Sequence, residues 1–164
     1  MCESMAEDIL RSVFLAPGEG AAVRNPVGGP LTFKIRGAQT NGALTAFESV
    51  AAPGEGPPLH VHEHEDEIWY ALEGSFRMKL NGNLREAPAG TFVFIPKGVV
   101  HTWQNVGDEP ARILAIITPA GLDNFFERFA ALPADASPAE EFRRLGAEVG
   151  MTVMGPPLHD SDPL

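Results

Sequence analysis

Apolar residues recur along this chain in short, closely spaced runs, and their period is that of strands. Leu31-Thr32-Phe33-Lys34-Ile35-Arg36 alternates apolar and polar side chains, as a half-buried strand does. Ser12 to Leu15, Leu44 to Val50, Glu67 to Leu72, Ser75 to Leu80, Thr91 to Ile95 and His101 to Val106 are further strand segments. Ala111 to Thr118 is a continuous apolar run of strand length. Turn formers separate these runs: Asn25 to Pro30 reads as a loop, Glu73-Gly74 as a tight hairpin, and Asn81-Gly82-Asn83 as a turn with the Asn-Gly signal. Such spacing predicts an all-β fold, an antiparallel barrel or sandwich. The period changes after Pro119, where Leu122, Phe125, Phe126 and Phe129 recur at helical spacing. A helix there is expected to lay its aromatic face on the barrel. Ser137-Pro138-Ala139-Glu140 has the form of a capping box with proline at the first helical position, and predicts a second helix running towards Val149. The expected divisions are an N-terminal tail at 1–11, frayed or in one helical turn, a β domain at 12–118, and a helical extension and tail at 119–164. From Gly155 the proline-rich tail is expected to be ordered only where it docks.

Composition narrows the class. A chain of 164 residues can bury one good core and is too short for two ordinary domains. An apolar fraction of 44% with 21% charged residues is that of a globular protein, and 15 prolines with 17 glycines suit many short strands. The net charge of −10 argues against nucleic-acid binding and against anionic membrane surfaces. The one cysteine, Cys2, has no internal partner and reads as an inert thiol in the tail. No run is long and apolar enough to span a membrane, and the N-terminus lacks a signal-peptide core, so a soluble cytoplasmic protein is the expectation.

The chemistry lies between Gly54 and Asn105. Four of the five histidines fall there: His60, His62, His64 and His101. On a strand, residues two apart share a face, so His60 and His62 project together. Glu67 shares its face with Trp69 and Ala71, and His101 with Trp103 and Asn105. Neutral imidazole and carboxylate are the ligands of a divalent first-row metal. His60, His62, Glu67 and His101 are therefore the candidate metal ligands, on three strands, with surface histidines on polar turns as the alternative. His64 falls where the strand gives way to a turn, and is expected to face solvent or stand behind the ligands; exchange with His62 is the other reading. His159 is expected on the surface and Asn105 in a turn. Trp69, Met78, Phe92, Phe94, Trp103 and Ile116 are candidates to line a substrate pocket, ordinary core packing being the alternative for each.

Two spaced motifs carry a family resemblance. Gly54-x5-His60-x-His62-x4-Glu67-x6-Gly74 and Gly90-x5-Pro96-x-Gly98-x2-His101-x3-Asn105 resemble the two cupin motifs at every fixed position, with a spacer of fifteen residues from Ser75 to Ala89. The chain is thus similar to the single-domain cupins of the cupin_2 type. Pro57 to His62, Glu67 to Gly74, Asn105 to Arg112 and Thr118 to Gly121 look most like the quercetin-dioxygenase-like subgroup. This resemblance implies a cupin jelly-roll β-barrel with two C-terminal helices packed on it, one divalent transition metal per chain (iron, manganese, nickel, cobalt, copper or zinc) and a homodimer. It also implies a dioxygenase, an oxidoreductase using dioxygen on a small aromatic or enol-containing substrate, with Glu67 as ligand and proton acceptor. A metal-dependent isomerase or lyase, and a non-catalytic small-molecule-binding barrel, stay open beside it.

Overall fold

The computed structural model of the chain describes residues 12–164. The expectations for the 1–11 tail and for Cys2 lie outside the described residues. Eleven strands follow one another: β1 (Ala21–Asn25), β2 (Gly28–Ile35), β3 (Thr45–Ala51), β4 (Pro58–His62), β5 (Asp66–Glu73), β6 (Ser75–Leu80), β7 (Asn83–Pro88), β8 (Phe92–Ile95), β9 (His101–Asn105), β10 (Ala111–Thr118) and β11 (Met151–Pro157). Helices α1 (Asp123–Ala130) and α2 (Pro138–Glu148) stand between β10 and β11, and the short α3 (Leu158–Ser161) follows. One sheet has the order β1-β2-β3-β10-β5-β8 and the other β11-β4-β9-β6-β7. The two face each other as a jelly roll. The ring does not close, however. β7 and β8 are free outer strands, and the ladders among the described residues stay within one sheet or the other.

Side-chain period explains the core. Along β10, Ala111, Ile113, Ala115 and Ile117 are buried and the residues between them are half-buried, so one face turns inward. Glu67, Trp69 and Ala71 do the same on β5. Trp69, Phe76 and Trp103 meet edge-on or tilted between the sheets, with ring centroids 5.1–6.4 Å apart. Phe33, Phe47 and Phe126 make a second aromatic cluster, which anchors α1 to the six-stranded sheet. Phe125, Phe129, Phe142 and Leu145 bury the facing sides of α1 and α2 above Met151.

Several expected elements change place. Ser12 to Leu15 is not a strand: it is irregular and Phe14 is almost fully exposed. The first strand is β1, which pairs with β2 across a two-residue turn at Pro26-Val27. Most of the supposed loop at 25–30 is therefore hairpin. Glu73-Gly74 is not a hairpin either, because β5 and β6 lie in different sheets. It is the corner between them, and a Cβ at Gly74 would stand 2.5 Å from the Ala111 side chain. The true hairpin joins β6 and β7, where Asn81 and Gly82 both have positive φ, as a type I′ turn requires. The capping box at α2 is not formed, since Ser137 makes no side-chain cap bond, although Pro138 does open the helix. The tail from Gly155 is docked: it continues β11, which starts at Met151 and lies along β4. Arg77, buried under it, donates to the carbonyls of Leu158 and Asp162 and so fastens α3. No helix among the described residues is long and apolar enough to cross a membrane.

Candidate metal centre

β4 carries His60 and His62, and β9 beside it carries His101 in direct register with His60. Glu67 comes from β5, across the gap between the sheets. Two local devices hold this geometry. Gly54 and Asn105, the outermost fixed residues of the two motifs, are joined by backbone: Gly54 N–H donates to the Asn105 carbonyl at 2.9 Å, and Asn105 N–H to that of Glu55. Gly56 leaves room for the approach, because a Cβ there would lie 1.9 Å from the Trp103 carbonyl oxygen. The Asn105 amide donates to Ala51 and Glu109 and accepts from Gly107 N–H, so it holds a turn, as its position in the sequence suggests.

One ligand atom from each of His60, His62, Glu67 and His101 lies within 4.8 Å of the others, and all four residues are buried. Glu67 Oε2 is 3.0 Å from His101 Nε2 and 3.5 Å from His62 Nε2. The ring tautomers are constrained from behind. His60 Nδ1 is 2.7 Å from the Pro58 carbonyl and His101 Nδ1 is 2.9 Å from that of Val99. A carbonyl only accepts, so each Nδ1 carries a proton; His60 Nε2 turns its lone pair inward, and His101 Nε2 faces the Glu67 carboxylate. His62 Nδ1 has no hydrogen-bond partner among the described residues, nor has the nearby Glu65 Oε2, 4.0 Å away.

Burial and neighbouring charge set the protonation. For Glu67 burial favours the neutral acid, but hydrogen bonds with His101 and His62 outweigh it and hold the carboxyl far below the usual range. Burial, then the His101 and His62 charges, push His60 well below the usual histidine value, so it stays neutral. Burial opposes charge on His101 as well, yet the bond to Glu67 prevails and its pKa is raised. Burial raises the Glu65 carboxyl. Such a cluster of imidazole lone pairs and an ionised carboxylate fits a divalent cation, which would replace the His101 proton against Glu67.

A cavity of about 60 Å³ opens onto this cluster. Val27, Leu31, Ile113 and Ile117 supply part of its apolar wall, and Phe126 and Phe142 bring α1 and α2 over it. Of the six residues expected in a pocket, Trp103 lines this cavity. Trp69 and Met78 are buried in the neighbouring core cluster instead. Phe92 and Phe94 are 62% and 52% exposed on the outer face of β8, because Val93 and Ile95 take the inward positions. Ile116 points outward between Ala115 and Ile117, which line the cavity. His64 is exposed and packs beside Gly150, and His159 is exposed. Sequence reasoning missed the aromatic roof residue Phe142 and the buried Glu65. Phe142 shares one helical face with Leu145, a signal within reach; nothing local separates Glu65 from the exposed Glu63.

Two facing antiparallel sheets with a His-His-Glu-His cluster between them are the arrangement that the two spaced sequence motifs imply. Residues 47–117 match the cupin domain family, Cupin_2. It is 34% identical over 82 residues to the polyketide synthase CurC of Streptomyces cyaneus, a match covering 49% of this chain and 53% of that protein. It is 26% identical over 87 residues to quercetin 2,3-dioxygenase of Bacillus subtilis strain 168, covering 53% of this chain and 26% of that one. An RmlC-like cupin from Shewanella frigidimarina NCIMB 400 superposes with a TM-score of 0.57 at 19% identity, over 70% of this chain and 96% of the other. The chain spans little more than half the length of three curated relatives that it matches at 34% identity, 52–59%.

Proposed function

We propose that the protein is a metal-dependent dioxygenase acting on a small, uncharged, enol-containing or aromatic molecule. The observation that carries this reading is a buried three-histidine, one-carboxylate cluster facing an apolar cavity. A divalent transition metal in that set supplies Lewis acidity towards a substrate hydroxyl and, when redox-active, electron transfer with dioxygen. The residues do the rest. His60, His62 and His101 stay fixed, each on a strand. Glu67 offers two carboxylate oxygens, so one can remain with the cluster while the other takes the proton of the enol or phenol. The largely apolar wall excludes water and gives a substrate body mainly van der Waals contact, with Asn25 and Ser49 as the uncharged polar groups of the lining.

Charge and size narrow the substrate. No lysine or arginine among the described residues lines the cavity, so a dianionic substrate would meet Glu67 without a counter-charge. The volume of about 60 Å³ is well below the roughly 150 Å³ of a cavity that admits benzene. A compact enol fits more readily than a ring unless α1 and α2 give way. Similarity to a quercetin 2,3-dioxygenase supports the oxygenase over the isomerase reading, across the shared segment.

The test is oxygen consumption by protein loaded in turn with Fe(II), Mn(II), Co(II) and Ni(II), over a panel of small enols and phenols. Turnover coupled to oxygen uptake, and lost in Glu67→Ala, is the expected result. Turnover that proceeds equally without oxygen would overturn the proposal in favour of an isomerase or lyase.

A further inference from the structure

We infer that Glu65 is a positioning residue for the metal centre: its carboxylate orients His62 and adds the second negative charge that balances a divalent ion. The inference rests on reading the four-residue cluster as a metal site. Its starting point is an asymmetry among the three imidazoles. His60 and His101 each have a backbone carbonyl behind Nδ1, supplied by Pro58 and Val99. His62 has none. Among the described residues its Nδ1 is buried without a hydrogen-bond partner, and the nearby acceptor is Glu65 Oε2 at 4.0 Å, itself buried and unpartnered there. Two complementary orphans this close are one unmade hydrogen bond.

The surroundings point the same way. Glu65 is 5% exposed, although it stands in the polar turn between β4 and β5 beside the exposed Glu63 and His64. A carboxylate is not buried without a compensating partner. Space has been left for it: a Cβ at Gly121, in the segment entering α1, would lie 2.7 Å from Glu65 Oε1. Glu65 does not line the cavity, so it acts through His62 and not on a substrate. For Nε2 of His62 to ligate, the proton must sit on Nδ1, and an acceptor behind the ring enforces that tautomer. A cation at Nε2 makes Nδ1–H a stronger donor, and a shift of about 1 Å closes the gap to an ordinary N–H···O distance. Glu67 in direct contact and Glu65 through His62 then bring two negative charges to one divalent cation.

The experiment compares wild type, Glu65→Gln, Glu65→Ala and Glu63→Gln as full-length chains. Co(II) affinity is measured by competition with a chromophoric chelator, and thermal melting is measured without metal. Loss of a carboxylate behind a ligating histidine weakens metal binding roughly 10–100-fold. Glu65→Ala is expected to lose affinity in that range. Glu65→Gln, which keeps an acceptor oxygen but not the charge, should lose less, and Glu63→Gln should match wild type. Metal-free melting of both Glu65 variants should equal or exceed that of wild type, because an unpaired buried carboxylate has been removed. A merely structural Glu65 would give the opposite pattern, lower melting with unchanged affinity, and that result overturns the inference. Wild-type protein that binds no Co(II) would instead overturn the metal-site reading, and this inference with it.

Discussion

Truncating Phe142 separates the roof of the cavity from the ligands beneath it. Phe142 lies on the inner face of α2 and is buried, with its ring edge-on to Phe125 at 5.1 Å and to Phe129 at 6.5 Å. It also reaches the His60 ring, 6.2 Å between centroids. Removing such a ring to alanine costs about 3–5 kcal/mol, from lost burial plus the void left behind. α2 is a peripheral element resting chiefly on β11 and α1, so it can settle into part of the void. The low end, about 3 kcal/mol, is therefore expected for Phe142→Ala. In a domain of this size that lowers the melting temperature by about 6–12 °C. The ligands stand on β4, β5 and β9, not on the helices, so Co(II) affinity should stay within about threefold of wild type. The enlarged cavity should let the ring compound tropolone perturb the Co(II) visible spectrum more strongly than in wild type. Thermal melts of metal-free protein and the spectral titration are the assays. A melting change under 2 °C, or a Co(II) affinity lost along with the fold's stability, would refute the separation of roof and site.

Two other expectations concern the site and its frame. His101 has a raised pKa and must be neutral to bind a cation, so metal uptake near pH 6.5 should release protons, and affinity should fall as pH drops through the raised value. For the metal-free protein the same raised value contributes stability below about pH 6.5 that is lost as pH rises through it. Calorimetry in buffers of different ionisation enthalpy measures the proton release, and equal heats in all buffers would contradict it. Gly56→Ala should destabilise by about 4 kcal/mol or more, because the added methyl meets the Trp103 carbonyl on the strand that carries His101. Denaturant unfolding of metal-free protein reads that loss directly, and a near-neutral variant would contradict the close approach of the two motifs.

The parts of this protein that were legible in its sequence are those encoded by local period. His60, His62, Glu67 and His101 follow from strand parity and fixed spacing, and the structure brings all four to one point between the sheets. α1 follows in the same way from its phenylalanines. Parity alone, however, does not say which face of an edge strand is inward. Phe-Val-Phe on β8 suggests inward phenylalanines, yet Val93 and Ile95 turn in, because β8 is the open edge of its sheet. β1 and β11 were hidden for another reason. Ala21-Ala22-Val23-Arg24-Asn25 has weak alternation, and Met151 to Pro157 ends in Gly-Pro-Pro, so each is a strand only because β2 or β4 offers it a ladder. Glu65 shows the same limit at the site: a carboxylate in a polar turn looks solvated until the fold places Gly121 over it.

The central claim is that His60, His62, Glu67 and His101 together hold one divalent ion. Elemental analysis after reconstitution with Mn(II) or Fe(II) and exhaustive dialysis tests it most directly, with wild type compared against the double variant His62→Ala/His101→Ala. One ion per wild-type chain and none retained by the double variant is the predicted result. Equal metal in both proteins, or none in either, would contradict the account.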